Sequence, residues 1–229
     1  MATSYSIVVF GEPSVGKTCF IDQFSYGRSF VAYDLDDSTS SHEIVVDGQA
    51  SKLKLMDLST SFLKPEQSMH PTDWAEDILT KADAVVLLYD ITSSSSFEYL
   101  INQAYAFLWE CRRRKGVYAG LNQYRSFGCV LVGNKYDLVS SGQKGRAVKQ
   151  NLADEWAKTQ GIRSIVVDSL AKFGPESALK LLVKNVQKLE RLGLMEASSV
   201  TKQEEQITLP KSQSTVRDTL MGIFRPSGT

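Results

Sequence analysis

Long apolar runs, an excess of charge of either sign and a cysteine framework are all missing from this chain of 229 residues. No apolar stretch approaches the ~18 residues that a membrane-crossing helix needs. The first residues, Met1-Ala2-Thr3-Ser4-Tyr5, lack the basic flank and cleavage pattern of a secretory signal, and Ala2 stands where myristoylation needs glycine. The last residues, Phe224 to Thr229, hold no cysteine for prenylation. The expectation is a soluble, cytoplasmic protein with no direct lipid anchor, recruited to membranes only through protein partners. The 26 Lys and Arg balance the 26 Asp and Glu. Zero net charge argues against a nucleic-acid surface. The three cysteines, Cys19, Cys111 and Cys129, lie far apart in apolar segments, which reads as buried thiols of a reducing compartment.

What is present is organised around Tyr5 to Phe24. The apolar run Tyr5-Ser6-Ile7-Val8-Val9-Phe10 leads into Gly11-Glu12-Pro13-Ser14-Val15-Gly16-Lys17-Thr18, and Cys19, Phe20, Ile21 and Phe24 then begin a helical apolar face. This is a phosphate loop in a strand, loop, helix setting. Gly11 and Gly16 let successive backbone N–H groups turn inward and form a nest for phosphate oxygens at a positive helix end. Lys17 reaches the β- and γ-phosphates as a point charge and is the candidate catalytic residue. The Thr18 hydroxyl suits magnesium. Pro13, Ser14, Val15 and Cys19 complete the candidate nucleotide contacts here.

Further along, Tyr26 to Ser41 reads as a loop over the phosphate site. Ile44-Val45-Val46, Asp47-Gly48 and Leu53-Leu55-Met56 predict a hairpin whose second strand carries Asp57 at its carboxyl end. Leu58 to Pro71 reads as an irregular loop, with Thr72 capping the helix after it. Ala84 to Tyr89 predicts a covered central strand. Ser95 and Glu98 have capping-box spacing ahead of a helix with Phe97, Ile101, Ala104, Leu108 and Cys111 inward. Arg112-Arg113-Arg114-Lys115 reads as its solvated terminus. Gly116 to Ser126, with Tyr118, Leu121 and Tyr124, is an aromatic loop suited to protein contact. Phe127 to Val132 predicts another covered strand, Ala147, Leu152 and Trp156 an amphipathic helix, Ile165-Val166-Val167 a last strand, and Ser177 to Leu192 a final helix. The fold class is α/β: six strands in a mostly parallel sheet, covered on both faces by five helices. Residues 193–229 are polar and predict a largely disordered tail beyond a domain of residues 4–192.

Asn134-Lys135-Tyr136-Asp137, just after a strand, has the residues needed to read guanine. The Asp137 carboxylate can accept from the N1–H and the exocyclic amine together, which adenine does not present in that arrangement. Asn134 can bridge base and neighbouring loops, and the Lys135 stem can lie along the purine plane. Ser169-Leu170-Ala171-Lys172 supplies a second base loop, in which the Ala171 N–H could donate to the guanine carbonyl. In this order and spacing the sequence resembles a small GTPase of the Ras superfamily, in feel its Ras-like branch, over residues 4 to 192. The resemblance implies a G domain with GTP or GDP and magnesium, Thr18 and Asp57 at the metal, Phe30 across the guanine edge, and Tyr33-Asp34 opening the first of two switch loops. It also implies slow hydrolysis and protein effectors or regulators acting through those loops. On its own the chain is expected to be monomeric.

Three positions depart from the family pattern. Two residues past Tyr33-Asp34 the family has a threonine over magnesium and this chain has Asp36, with Thr39 the nearest substitute. After Asp57 the pattern Asp-x-x-Gly-Gln is replaced by Asp57-Leu58-Ser59-Thr60-Ser61, so the γ-phosphate-sensing glycine is Thr60 and the water-positioning glutamine is Ser61. Gln67 is the nearest glutamine. Pro13 stands where Ras has glycine. Nucleotide binding is expected to be intact and hydrolysis degraded. The competing expectation is a pseudo-GTPase scaffold that holds one nucleotide as a structural ligand.

Overall fold

A computed structural model describes residues 3–27, 41–64, 72–114 and 127–193 of the chain. Six strands form one sheet in the order β2-β3-β1-β4-β5-β6. They are β1 (Thr3–Gly11), β2 (His42–Val46), β3 (Gln49–Ser59), β4 (Ala84–Asp90), β5 (Gly128–Asn134) and β6 (Arg163–Val166). Only β2 runs antiparallel to its neighbour. It does so because Asp47 (φ 50°) and Gly48 (φ 80°) both adopt the left-handed conformation of a two-residue hairpin turn. Every other pairing is parallel and is made by a crossover.

The alternation in β1 shows why both faces need helices. Ile7 and Val9 bury against α1 (Lys17–Tyr26) and α7 (Gly174–Arg191) on one face. Val8 and Phe10 bury on the other, with α2 (Asp73–Lys81), α6 (Gln150–Thr159) and a helix built from α3 (Ser94–Tyr99), a π-helical segment (Leu100–Ala104) and α4 (Tyr105–Arg114). All seven residues of β4 and of β5 are buried. Each fully covered Leu, Val or Phe stabilises the fold by about 1.5–3 kcal/mol, so the sheet centre is the least deformable part of the molecule. Its carboxyl ends are where the loops of interest emerge. No described helix is long and apolar enough to cross a membrane.

Several local expectations are corrected. The cap of α3 is Ser93, whose Oγ accepts the Ser96 N–H at 3.3 Å; Ser95 lies inside the helix and no Ser95–Glu98 capping box forms. The helix starts early because buried Ser96 is tied to the end of β4, its Oγ accepting the Asp90 N–H at 3.1 Å. The π-helical turn shifts the inward face, so Leu100 is fully buried where Ile101 was expected and Ile101 is only partly covered. In α6 the inward residues are Ala153 and Ala157, with Trp156 packed on the same core as expected, whereas Leu152 is 52% exposed; Ala147 precedes the helix and is exposed. Thr72 caps α2 through its backbone carbonyl and not its side chain. β5 runs on through Asn134, β6 ends at Val166, and α7 begins at Gly174 with Pro175 in its first turn.

Arg112 departs from the reading of its cluster as a solvated terminus. It is 4% exposed, its guanidinium lies over the Phe127 ring at 4.6 Å, and it donates to the carbonyls of Thr80 (3.1 Å) and Ala82. Those are the open carbonyls at the carboxyl end of α2. Arg112→Met is therefore expected to cost about 2–4 kcal/mol in a urea unfolding curve, because it leaves two covered carbonyls without their charged donor. A cost within about 0.5 kcal/mol would be that of a surface substitution.

Candidate functional site

The strand ends β1, β3, β4 and β5 surround one region at the carboxyl edge of the sheet, the edge at which open α/β sheets bind ligands. Between β1 and α1 the chain turns through Ser14 (φ 64°) and Gly16 (φ 97°). Gly11 and Gly16 are required by space as well as conformation. A Cβ at Gly11 would sit 2.2 Å from the Leu88 carbonyl oxygen, and one at Gly16 would sit 2.4 Å from Asn134 Nδ2. Pro13 and Ser14 form the exposed crest of this turn, Val15 is buried beneath it, and Cys19 lies in the first turn of α1.

Lys17 and Thr18 both meet Asp57. The Lys17 ammonium donates to the Glu12 carbonyl at 2.8 Å and lies 3.7 Å from Asp57 Oδ1, while Thr18 Oγ1 donates to Asp57 Oδ2 at 2.8 Å. Asp57 lies at the carboxyl end of β3, as expected, two residues before the strand ends and opposite Val9. Lys17 is 6% exposed, and burial pushes its ammonium below the usual lysine range while Asp57 works in the opposite direction. A covered cation with one nearby carboxylate is electrostatically suited to a further anion. Burial raises the Cys19 thiol above its usual range, and the Asp22 charge adds to the effect; Cys19 is only partly covered, whereas Cys111 and Cys129 are buried as expected.

The second part of the site is held by Asn134. Its buried side chain donates to the Val15 carbonyl at 2.9 Å and accepts from Ser169 N–H (3.1 Å) and Ser169 Oγ (2.7 Å). One amide thus joins the phosphate loop, the end of β5 and the loop after β6. Lys135 (φ 69°) turns the chain into the short helix α5 (Tyr136–Ser140), which places Asp137 in its first turn. In the loop after β6, Leu170, Ala171 and Lys172 are exposed, and the Lys172 ammonium lies 5.5 Å from the Phe173 ring. The Ala171 N–H, expected to be a free donor, closes on the Asp168 carbonyl at 3.2 Å, and the Leu170 N–H meets Asp168 Oδ1 at 2.7 Å. The loop must fold tightly here because Gly174 passes so close that a Cβ on it would be 2.1 Å from the Asp168 carbonyl.

Phe30, Tyr33, Asp34, Asp36 and Thr39 lie outside the described residues, as do Gln67, the loop 115–126 and the tail from 194 onward. The start of the segment after Asp57 is described, and it is ordered more tightly than the expected irregular loop. Residues Thr60–Leu63 form a 3₁₀ turn capped by Ser59 Oγ, which accepts the Ser61 N–H at 3.3 Å and lies 2.6 Å from Ser61 Oγ. Phe62 packs into the core against Phe10, Trp74 and Phe107. Lys64 pairs with Glu12 of the phosphate loop at 2.8 Å and sits over the Tyr99 ring at 5.1 Å. Thr60 is fully buried, and its Oγ1 has no hydrogen-bond partner among the described residues.

Two contributors were missed by reading the sequence. Glu12 sits within the phosphate loop, and no sequence signal connects it to Lys64. Asp90 is the last residue of β4 and belongs to none of the motifs quoted above. An acid at the carboxyl end of a parallel strand, beside the strand that carries Asn134, is the signal that could have found it.

Comparison with known proteins agrees with this geometry. Residues 6–188 match the Ras family, and the chain belongs to that family in its broad, superfamily sense. It is similar to Ras-related protein Rab-13 of Bos taurus, 24% identical over 182 residues that cover 80% of this chain and 79% of that protein. It is similar to Ras-related and estrogen-regulated growth inhibitor of Homo sapiens, 26% identical over 152 residues, with 66% and 67% covered. Protein ras-2 of Neurospora crassa is 27% identical over 203 residues, 82% of each chain. These relatives span several branches, so the family is fixed and the branch is not.

Asn134→Ala is expected to destabilise the fold by about 2–4 kcal/mol, since it strips partners from covered Val15 and Ser169 groups. Amide exchange should then accelerate at Ser169, a loop Asn134 touches only through its side chain. Unchanged exchange there would remove Asn134 as the connection.

Proposed function

We propose that the chain is an atypical Ras-like small GTPase that binds GTP and GDP with magnesium, hydrolyses GTP slowly, and signals through partners that recognise its nucleotide state. The observation that carries this reading is the Asn134 side chain, which fastens a phosphate loop to both loops suited to a guanine base. The residues fit the groups. The nest opened by Gly11 and Gly16 and the covered Lys17 ammonium favour phosphate oxygens. Thr18 and Asp57, already in contact, would hold magnesium directly or through water, as a hard cation using few protein ligands requires. No group of three His, Cys, Asp or Glu side chains suited to a metal occurs among the described residues, so phosphate oxygens would supply the remaining coordination. Asp137 would select guanine, Phe30 would lie across its edge, and the loop Ser169 to Lys172 would close beside it. Magnesium, when bound, neutralises charge on the phosphates during transfer. Lys17 adds a fixed positive charge there. Thr60 and Ser61 offer nothing long enough to orient an attacking water.

A second reading is favoured by a specific observation. The segment in which switching is expected is anchored by Phe62 in the core and by Lys64 on Glu12. A switch needs two arrangements of different energy in the two nucleotide states. A turn held this firmly fits a scaffold that keeps one nucleotide and does not cycle.

Purified protein denatured and analysed by chromatography is expected to release about one guanine nucleotide per chain, and loaded GTP to turn over at or below the order of 10⁻⁴ s⁻¹. Absence of any guanine nucleotide, with no uptake on exchange, would contradict both readings. Amide exchange over 60–64 separates them: protection that differs between GDP and a non-hydrolysable GTP analogue means a switch, and identical protection means a scaffold.

A further inference from the structure

We propose that Asp90 is a positioning residue for guanine-nucleotide binding, acting by fixing the ammonium end of Lys135. The inference rests on the guanine-nucleotide reading above and adds a residue that no part of the motif contains. Asp90 closes β4 directly opposite Asn134 on β5. Its Oδ2 pairs with Lys135 Nζ at 2.8 Å. Its Oδ1 accepts from Thr92 N–H at 2.8 Å and Thr92 Oγ1 at 2.7 Å. Its backbone N–H donates to Ser96 Oγ, and the next amide, Ile91 N–H, donates to the Asn134 carbonyl at 3.1 Å. Oδ1 is therefore held by Thr92, and Oδ2 is turned to Lys135.

The consequence for Lys135 is geometric. Its backbone is held in a left-handed turn between Asn134 and α5, and its ammonium is held by a strand that is buried throughout. The four-carbon stem is strung between two fixed points. A free lysine stem samples many rotamers, and ordering it on binding costs side-chain entropy. Here most of that ordering precedes the ligand, and the stem beside Asn134 and Asp137 presents a preset apolar face to a purine. Burial works against ionisation of Asp90, yet the hydrogen bonds from Lys135 and Thr92 outweigh it and hold the carboxyl below its usual range. The ionised form of the Asp90 carboxyl is therefore the favoured one.

The test is release of a fluorescent GDP analogue from the full chain, measured for wild type, Asp90→Asn, Lys135→Met and the double variant, with and without magnesium. Asp90→Asn keeps the shape and the Thr92 contacts and is expected to speed release about tenfold. The factor should be the same with and without magnesium, because the lesion is at the base and not at the phosphates. In the Lys135→Met background it should add nothing. Thr92→Val, which removes one hydroxyl bond and leaves the charge, should give a smaller acceleration, about two- to threefold. Release unchanged in Asp90→Asn, or effects of Asp90→Asn and Lys135→Met that multiply, would overturn the proposal and leave Asp90 a structural strand end. Wild-type protein that takes up no GDP analogue would instead overturn the guanine-nucleotide reading, and this proposal with it.

Discussion

The site depends on one buried amide. Asn134 stands at the last position of β5, and its side chain spends every bond on other segments: Val15 in the phosphate loop and Ser169 after β6. A buried amide with unmet bonds costs more than a made bond returns, so the three segments are bound to one arrangement. The close packing of Gly16 against Asn134 makes the dependence mutual. The sheet supplies the precision, because β5 is covered along its whole length. Loops on such an edge inherit the position of the strands beneath them.

From that anchor the site divides into two halves of different character. The phosphate-loop part is tied within itself by Lys17 and Thr18 on Asp57, the other part by Lys135 on Asp90 and Ser169 on Asn134, and the Asn134–Val15 bond joins the two. The segment after Asp57 is the exception to the family pattern. Where a mobile segment would respond to a γ-phosphate, this chain places a capped 3₁₀ turn, a core-packed phenylalanine and a lysine bound to the phosphate loop itself. The sequence departure at Thr60 and Ser61 and the packing of Phe62 fall in the same short segment.

How much of this was legible follows from the range of the signals. The phosphate loop, the hairpin at Asp47-Gly48 and the covered strands were readable because each is set by contiguous residues with a local physical reason. The layered α/β fold followed from their order. What escaped depends on residues far apart in sequence. Arg112 looked like one of several solvated cations, and only the packing of α4 on α2 shows that it serves the carbonyls of Thr80 and Ala82. The capping box failed because Ser96 had a tertiary commitment to Asp90 that outranked local spacing. The helical face slipped at Leu100 because a π-helical turn adds a residue that a 3.6-residue period does not anticipate. The Ala171 N–H, on sequence alone a donor for a ligand, meets a competitor in the Asp168 carbonyl that only the folded loop brings to it.

The central claim is that the Asn134-centred edge is a guanine-selective nucleotide site, with Asp137 accepting two donors from one base. Competition for a bound fluorescent GDP analogue tests it most directly, using GDP, inosine diphosphate, which lacks the exocyclic amine, and ADP. The account predicts that inosine diphosphate competes at least about tenfold more weakly than GDP and that ADP does not displace the analogue. Equal displacement by all three would contradict it, because the base loops would then be reading nothing and the site would be a phosphate loop alone.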